Sequence, residues 1–357
     1  MRTRQALIHE DLAGDNNSGK EISIMSGENT PQVNSEIFYP ESRTKRSPFD
    51  CSDCSTRTLM GQMCIAMILL GGVGIYRYGL HAAMVLAVTS VGSILTELVI
   101  GFLMKRGNTT GDCSAAVSGL ILGLLLPPMI PLRYALLGAA VSMAVKNLSG
   151  GIGKNIVNPA LCGKFFLLLV FRSAVSDYSC APYGPISILT EMTSGQNVQI
   201  LPMLTGDCAS DIGTGSAAAV LLVTALLVIL GVTDILIPIS AVIFFVIVLI
   251  LFGGHGWNPV YLGAHICGGG FLFLASFCAT DYTTSPVTIR GRALYGALFG
   301  VLTAAARLRL GFDENGALFA LLIMNLLARP IDRITMPRPF GSPQKRTITV
   351  IDNKRKS

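Results

Sequence analysis

Gly150-Gly151-Ile152-Gly153-Lys154-Asn155-Ile156-Val157-Asn158-Pro159-Ala160 separates two long apolar stretches. Its glycines, asparagines and proline do not continue a helix. Glycine loses more backbone freedom than any other residue, and proline lacks a donor and clashes with the preceding turn. Backbone left unpaired at membrane depth persists only inside protein or beside water. The stretch therefore reads either as a polar loop joining two helices or as unwound backbone lining a site.

The flanks place it in a membrane. The chain has 357 residues, is 51% hydrophobic and 13% charged, and has a mean hydropathy of +0.58. A soluble domain carries about 25% charged residues, so the expected class is an all-α polytopic membrane protein. Apolar segments run roughly over 59–79, 82–104, 114–128, 133–148, 159–175, 216–232, 236–253, 261–279, 291–306 and 316–331. Several fall short of the ~20 residues of a full span. The third breaks at Leu126-Pro127-Pro128, and Gly268-Gly269-Gly270 loosens the eighth. Broken helices of this kind are typical of proteins built from membrane repeats.

The third and fourth segments read as a Gly/Leu-rich helix, a proline, a basic residue and a Gly/Ala-rich helix. The eighth and ninth repeat that order, with Ser285-Pro286 and Arg290. Five segments per half is an odd number, so the repeat would be inverted. The expected architecture is about ten transmembrane segments in two inverted five-helix halves.

Residues 1–57 are polar, contain no signal-peptide core, and are expected to be a mostly disordered cytoplasmic extension. Residues 58–335 form the membrane domain, and 336–357 a basic cytoplasmic tail. The loop at about 176–215 holds Asp177, Glu191, Asp207 and Asp211 and lacks Lys and Arg, which puts it outside with both termini inside. The net charge of +6 reads as orientation signal and contact with anionic lipid, not as nucleic-acid binding. A multi-pass protein of the cytoplasmic (inner) membrane is expected.

Candidate sites each carry a bland alternative. Glu97 sits in an apolar helix, where a carboxylate must be protonated, paired or hydrated. It is an ion-pathway residue or a helix-end carboxylate near Lys105 and Arg106. Asp112, before the third segment, is expected to cap a helix. Thr280-Asp281 closes the eighth segment and is followed by clustered hydroxyls. It is a contact for a cation or a polar cofactor edge, or a simple helix stop. Asp313-Glu314 suits a helix amino terminus. Thr193-Ser194-Gly195-Gln196-Asn197 and Asp211-Ile212-Gly213-Thr214-Gly215-Ser216 are Gly-plus-hydroxyl loops able to nest a phosphate. Cys51-x-x-Cys54 lacks a second pair to complete a metal site, and Cys180 and Cys208 share the long loop. Walker loops, HExxH and nucleotide-binding βαβ patterns are absent.

From about Ser47 to Pro337 the quoted residues resemble the D component of the Rnf electron-transport complex and its relative, the B component of the sodium-pumping NADH:quinone reductase. The resemblance rests on Gly111-Asp112-Cys113-Ser114-Ala115, Leu126-Pro127-Pro128, Gly150 to Asn155 with Asn158-Pro159-Ala160-Leu161, Ala279-Thr280-Asp281, Ser285-Pro286, Leu322-Ile323-Met324-Asn325 and Pro330-Ile331-Asp332. It implies ten helices in two inverted halves, partner components of the A, B, C, E and G types, and FMN esterified to a Thr in an outer-loop Ser-Gly-Ala-Thr motif. Ser194, Gly195, Gln196 and Asn197 occupy those positions here. An amide forms no phosphoester, so Thr193 is the alternative acceptor, and non-covalent FMN or riboflavin the alternative cofactor. Asn155, Asn158, Thr280 and Asp281 complete the expected flavin or ion contacts, with Glu97 on the ion pathway. The expected function is a membrane subunit of an Rnf-like ion-translocating electron-transport complex that positions a flavin near the outer face. A transporter or channel for a small polar solute, or a structural subunit without flavin, are the competing classes.

Overall fold

A computed structural model describes residues 56–104, 112–150, 155–176, 200–207, 210–311 and 315–337. All belong to one compact unit, residues 52–357. The extension before Thr56 and the tail beyond Pro337 lie outside the described residues, as do Thr193, Ser194, Gly195 and Asn197.

Regular structure among the described residues is wholly helical. The first half holds α1 (Thr56–Tyr78), α2 (Leu80–Leu103), α3 (Ser114–Leu124), α4 (Leu132–Leu148) and α5 (Pro159–Val170), followed by a single turn, α6 (Arg172–Val175). A short helix, α7 (Ile200–Thr205), leads into the second half. That half holds α8 (Ala217–Ile229), α9 (Leu236–Phe252), α10 (Pro259–Cys267), α11 (Phe271–Phe273, continued by a π-helical turn over Leu274–Cys278), α12 (Ile289–Leu310) and α13 (Gly316–Thr335). Every apolar segment of the sequence overlaps one or two of these helices, with ends that differ by up to a few residues. Three of them, α1, α2 and α12, are long and apolar enough to cross a membrane, and α10 with α11 makes a fourth span if the bent pair counts as one.

The packing order repeats. α2 lies against α3 and α4, and α4 against α5; α9 lies against α11 and α12, and α12 against α13. Small residues let these axes approach, as is usual where lipid removes the hydrophobic drive between helices. A Cβ added at Gly300 of α12 would run into the carbonyl oxygen of Ala241 on α9.

The breaks fall where the sequence places them. α3 stops at Leu124, before the two prolines. α10 and α11 meet at a 60° bend. Gly269 and Gly270 hold φ of 61° and 65° there, a left-handed conformation that side chains with a Cβ disfavour. α5 and α10 both begin Asn-Pro. The Asn158 and Asn258 side chains accept from backbone N–H groups of the first turn, and proline supplies a residue with no N–H to satisfy.

Candidate functional site

Residues of both halves, including the interruption before α5, line one cavity of about 170 Å³. α1 contributes Leu59, Met60 and Met63, and α3 contributes Ser114, Val117, Ser118 and Ile121. Lys146 enters from the end of α4, and Asn155, Asn158 and Pro159 from the interruption before α5. The second half supplies Gly231–Thr233 and the run Thr280–Thr283, with Phe277 behind it. Asn155 and Asn158, on either side of the unwound turn, therefore both line this cavity.

The cavity has an apolar wall and a polar edge. Asp281 is half-buried. Its carboxylate accepts from Asn158 Nδ2 at 3.2 Å, from the Thr283 N–H at 3.2 Å and from Thr283 Oγ1 at 3.1 Å. The Thr280 hydroxyl donates to the Ser276 carbonyl, one turn back on its own helix. Asn155 Oδ1 and Thr233 Oγ1 are buried and have no hydrogen-bond partner among the described residues. A buried polar atom left unmatched costs about 1–3 kcal/mol, and both residues line the cavity.

Glu97 stands just behind this edge. It is 2% exposed and accepts from Lys146 Nζ at 2.9 Å. The same ammonium donates to Ser114 Oγ at 2.7 Å. The partner that sequence suggests for Glu97, Lys105 or Arg106, lies outside the described residues. Lys146 is the observed partner. Ser114, Lys146 and Thr233 are the cavity residues that sequence reasoning missed. A lysine near the end of an apolar helix was the available signal for one of them.

One expectation needs correction. Asp112 does not cap α3: the residue in the cap position is Cys113, with φ 57° and no side-chain cap bond, and Ser114 is engaged by Lys146. In Asp211–Ser216 the bland reading of an ordinary loop fits, because three of its amides are engaged within the protein. Ile212 N–H donates to Leu126 O, Gly213 N–H to Leu124 O and Thr214 N–H to Asp211 O.

At the opposite end of the bundle, Arg77 of α1 pairs with Asp207 and donates to the Thr205 carbonyl at 2.7 Å, which fastens α7 to α1. Hydrogen bonds from Arg77 and Thr205 hold the Asp207 carboxyl below the usual carboxylate range.

The model of the NQR2, RnfD, RnfE family matches residues 43–341. The chain belongs to that family. It is similar to the D component of the Na(+)-translocating ferredoxin:NAD(+) oxidoreductase complex of Acetobacterium woodii, with 32% identity covering 83% of this chain and 94% of the relative. Similarity to the D component of the proton-translocating ferredoxin:NAD(+) oxidoreductase complex of Clostridium ljungdahlii is 29% over 87% of this chain and 98% of the relative. The B component of the Na(+)-translocating NADH-quinone reductase of Chromohalobacter salexigens is 30% identical over 69% of this chain and 63% of the relative. Family membership and the helical bundle together make this a multi-pass membrane protein.

Proposed function

We infer that this chain is the membrane subunit of an Rnf-like ion-translocating electron-transport complex, and that the cavity between its halves receives the polar edge of a non-covalent flavin. The observation that carries the site assignment is the lining of the cavity, an apolar wall with Lys146, Asn155, Asn158, Thr233 and Asp281 at its polar edge. Family membership carries the assignment to a complex.

The residues fit such a group. A flavin ring is flat and apolar with hydrogen-bonding groups along one edge. Val117, Ile121 and Phe277 provide apolar surface, and Asn155, Asn158, Thr233 and Lys146 provide donors and acceptors. At about 170 Å³ the cavity is smaller than the ~300 Å³ at which ordinary ligand pockets begin. It holds a ring edge, and the remainder would leave through the mouth. FMN or riboflavin would supply one- and two-electron chemistry, and the protein supplies position and electrostatics. Asn197 carries no hydroxyl, so a phosphoester at that position is ruled out by its chemistry, and Thr193 is the alternative acceptor.

Asp281 supports a second role for the same edge. Ionisable groups inside a bundle mark ion paths, and Asp281 is the acidic group that lines the cavity. The carboxylate that anchors Asn158 is then also the point at which a cation enters from the cavity. Under the charge bias of the chain, both termini lie on the cytoplasmic side of the inner membrane and the cavity opens toward that side, so this flavin sits at the cytoplasmic face and not at the outer face that the resemblance implies. The partners are the A, B, C, E and G component types.

Purification in mild detergent tests this reading. Flavin released by acid, with no flavin fluorescence on the denatured polypeptide, is the expected result. Asn155→Leu with Thr233→Val should lower the released flavin severalfold. Fluorescence retained on the denatured chain, with added mass at Thr193, would replace the non-covalent assignment. A flavin-free native protein that conducts a polar solute in liposomes would replace the function.

A further inference from the structure

Two acid–base pairs are buried among the described residues, and they are built differently. Glu97–Lys146 joins α2 to α4 and is closed by Ser114 of α3, so all its members are helical residues of one half. Lys164–Asp211 joins α5 to a non-helical segment that precedes the second half. Its Nζ–Oδ2 distance is 2.5 Å, and its side chains are 6% and 9% exposed.

That segment enters the bundle at the broken end of α3. Ile212 N–H donates to Leu126 O at 3.1 Å and Gly213 N–H to Leu124 O at 2.7 Å. Ile212 also packs on Gly74, one turn before the end of α1. The acid therefore sits inside the bundle on backbone held by a few hydrogen bonds, whereas Glu97 is locked in a continuous helix.

The pair lies between the cavity and the opposite end. Lys164 is six residues past Asn158, about 9 Å along the helix axis, and Asn158 bonds Asp281 in the cavity. Beyond the pair, Ser210 shares a 3.0 Å hydrogen bond with Tyr78, the last residue of α1. The order is cavity, ion pair, far end.

The pair also ties α5 to the segment before the second half, a contact that an apolar pair could make as well. A buried ion pair commonly breaks even with, or loses to, apolar residues of the same volume. We propose that Lys164–Asp211 is the gate on a monovalent-cation path from the Asp281 cavity to the Tyr78 end. An advancing proton or sodium ion takes a carboxylate oxygen of Asp211 from the Lys164 ammonium, and the pair re-forms when the ion leaves. Closed, the pair is neutral overall and presents a repelling ammonium to the next cation. The proposal rests on reading Asp281 as the entry point for the cation.

The test uses the whole complex in liposomes, with a pH-sensitive dye and radioactive sodium as probes. Lys164→Met takes the ammonium away from the Asp211 carboxylate, which then attracts cations. Passive uptake should rise about tenfold without electron donor. Asp211→Asn takes the carboxylate away from the Lys164 ammonium, and donor-driven uptake should fall about tenfold with no added leak. Both variants moving leak and driven uptake in the same direction, or a Lys164→Met/Asp211→Asn double variant with wild-type coupled uptake, would overturn the gate. If loss of one charge prevents assembly, Lys164→Arg keeps the pair and tightens it through two-point contact. Driven uptake should then slow about threefold, and wild-type uptake overturns the proposal. Asp281→Asn separates the two readings. Lost uptake there, with wild-type behaviour in the gate variants, sinks only the gate. Wild-type uptake in Asp281→Asn sinks the cavity's role as entry point.

Discussion

Glu97 and Lys146 are 49 residues apart in the chain and 2.9 Å apart in space. The acid alone is legible as an anomaly in sequence, because an ionised group in an apolar helix needs a reason. Its partner is not legible, because it depends on which helix packs beside α2. The pairing predicts an unequal response to mutation. Glu97→Ala strands the Lys146 ammonium and should destabilise the protein by about 3–5 kcal/mol. Glu97→Leu with Lys146→Met should recover most of that loss, since a well-packed apolar pair is often as stable. Thermal unfolding in detergent measures both. A double variant as unstable as the single would mean that Glu97 does more than balance Lys146. Asn158 is the contrary case. An asparagine before a proline is a helix start in any context, and the structure uses it so, while its amide nitrogen also reaches Asp281.

At the scale of elements, the loop between α8 and α9 is set by Asp234. Its carboxylate accepts from the Leu236 N–H at 3.0 Å and from Arg292 of α12 at 2.7 Å. Partial burial pushes this carboxyl up, but the Leu236 and Arg292 hydrogen bonds outweigh it and hold it below the ordinary range. A carboxyl lowered in the folded state stabilises fully above its unfolded value of ~3.9, and that stabilisation is lost as pH falls through the folded value. Asp234→Asn should therefore lower stability at neutral pH by at most about 1 kcal/mol, since the pair is partly exposed. The gap from wild type should close as the pH drops below ~4. An equal gap at neutral pH and in strong acid would contradict the assignment. Gly300 governs the α9–α12 contact. Gly300→Ala forces the axes apart at the Ala241 carbonyl and should cost about 1–3 kcal/mol, the usual range for overpacking. An unfolding temperature equal to wild type would show that the helices yield freely there.

Across the whole molecule, the halves meet through several independent contacts. α1 packs on α8, and Phe165 of α5 meets Phe319 of α13 edge-on at 5.8 Å. Lys164–Asp211 and Arg77–Asp207 add charged contacts. A chain divided between residues 177 and 199 and co-expressed as two pieces should therefore reassociate. Affinity purification of one tagged piece should retain the other in detergent, and its failure would mean that the covalent connection holds the halves together.

Sequence alone determined that this chain lives in a bilayer and, to within a few residues, where its long apolar helices lie and where two of them break. Those properties follow from local chemistry: apolar length, glycine entropy, proline's missing donor and asparagine's capping oxygen. Sequence also showed Asp281 and the Asn155/Asn158 interruption to be exceptional, since polar groups and unwound backbone are costly in lipid. Only tertiary structure decided that the two face one cavity, that Lys146 answers Glu97, and that Asp211 is carried to Lys164. Each of those depends on contacts between residues far apart in the chain, and helix periodicity constrains which face is apolar without specifying which neighbour covers it.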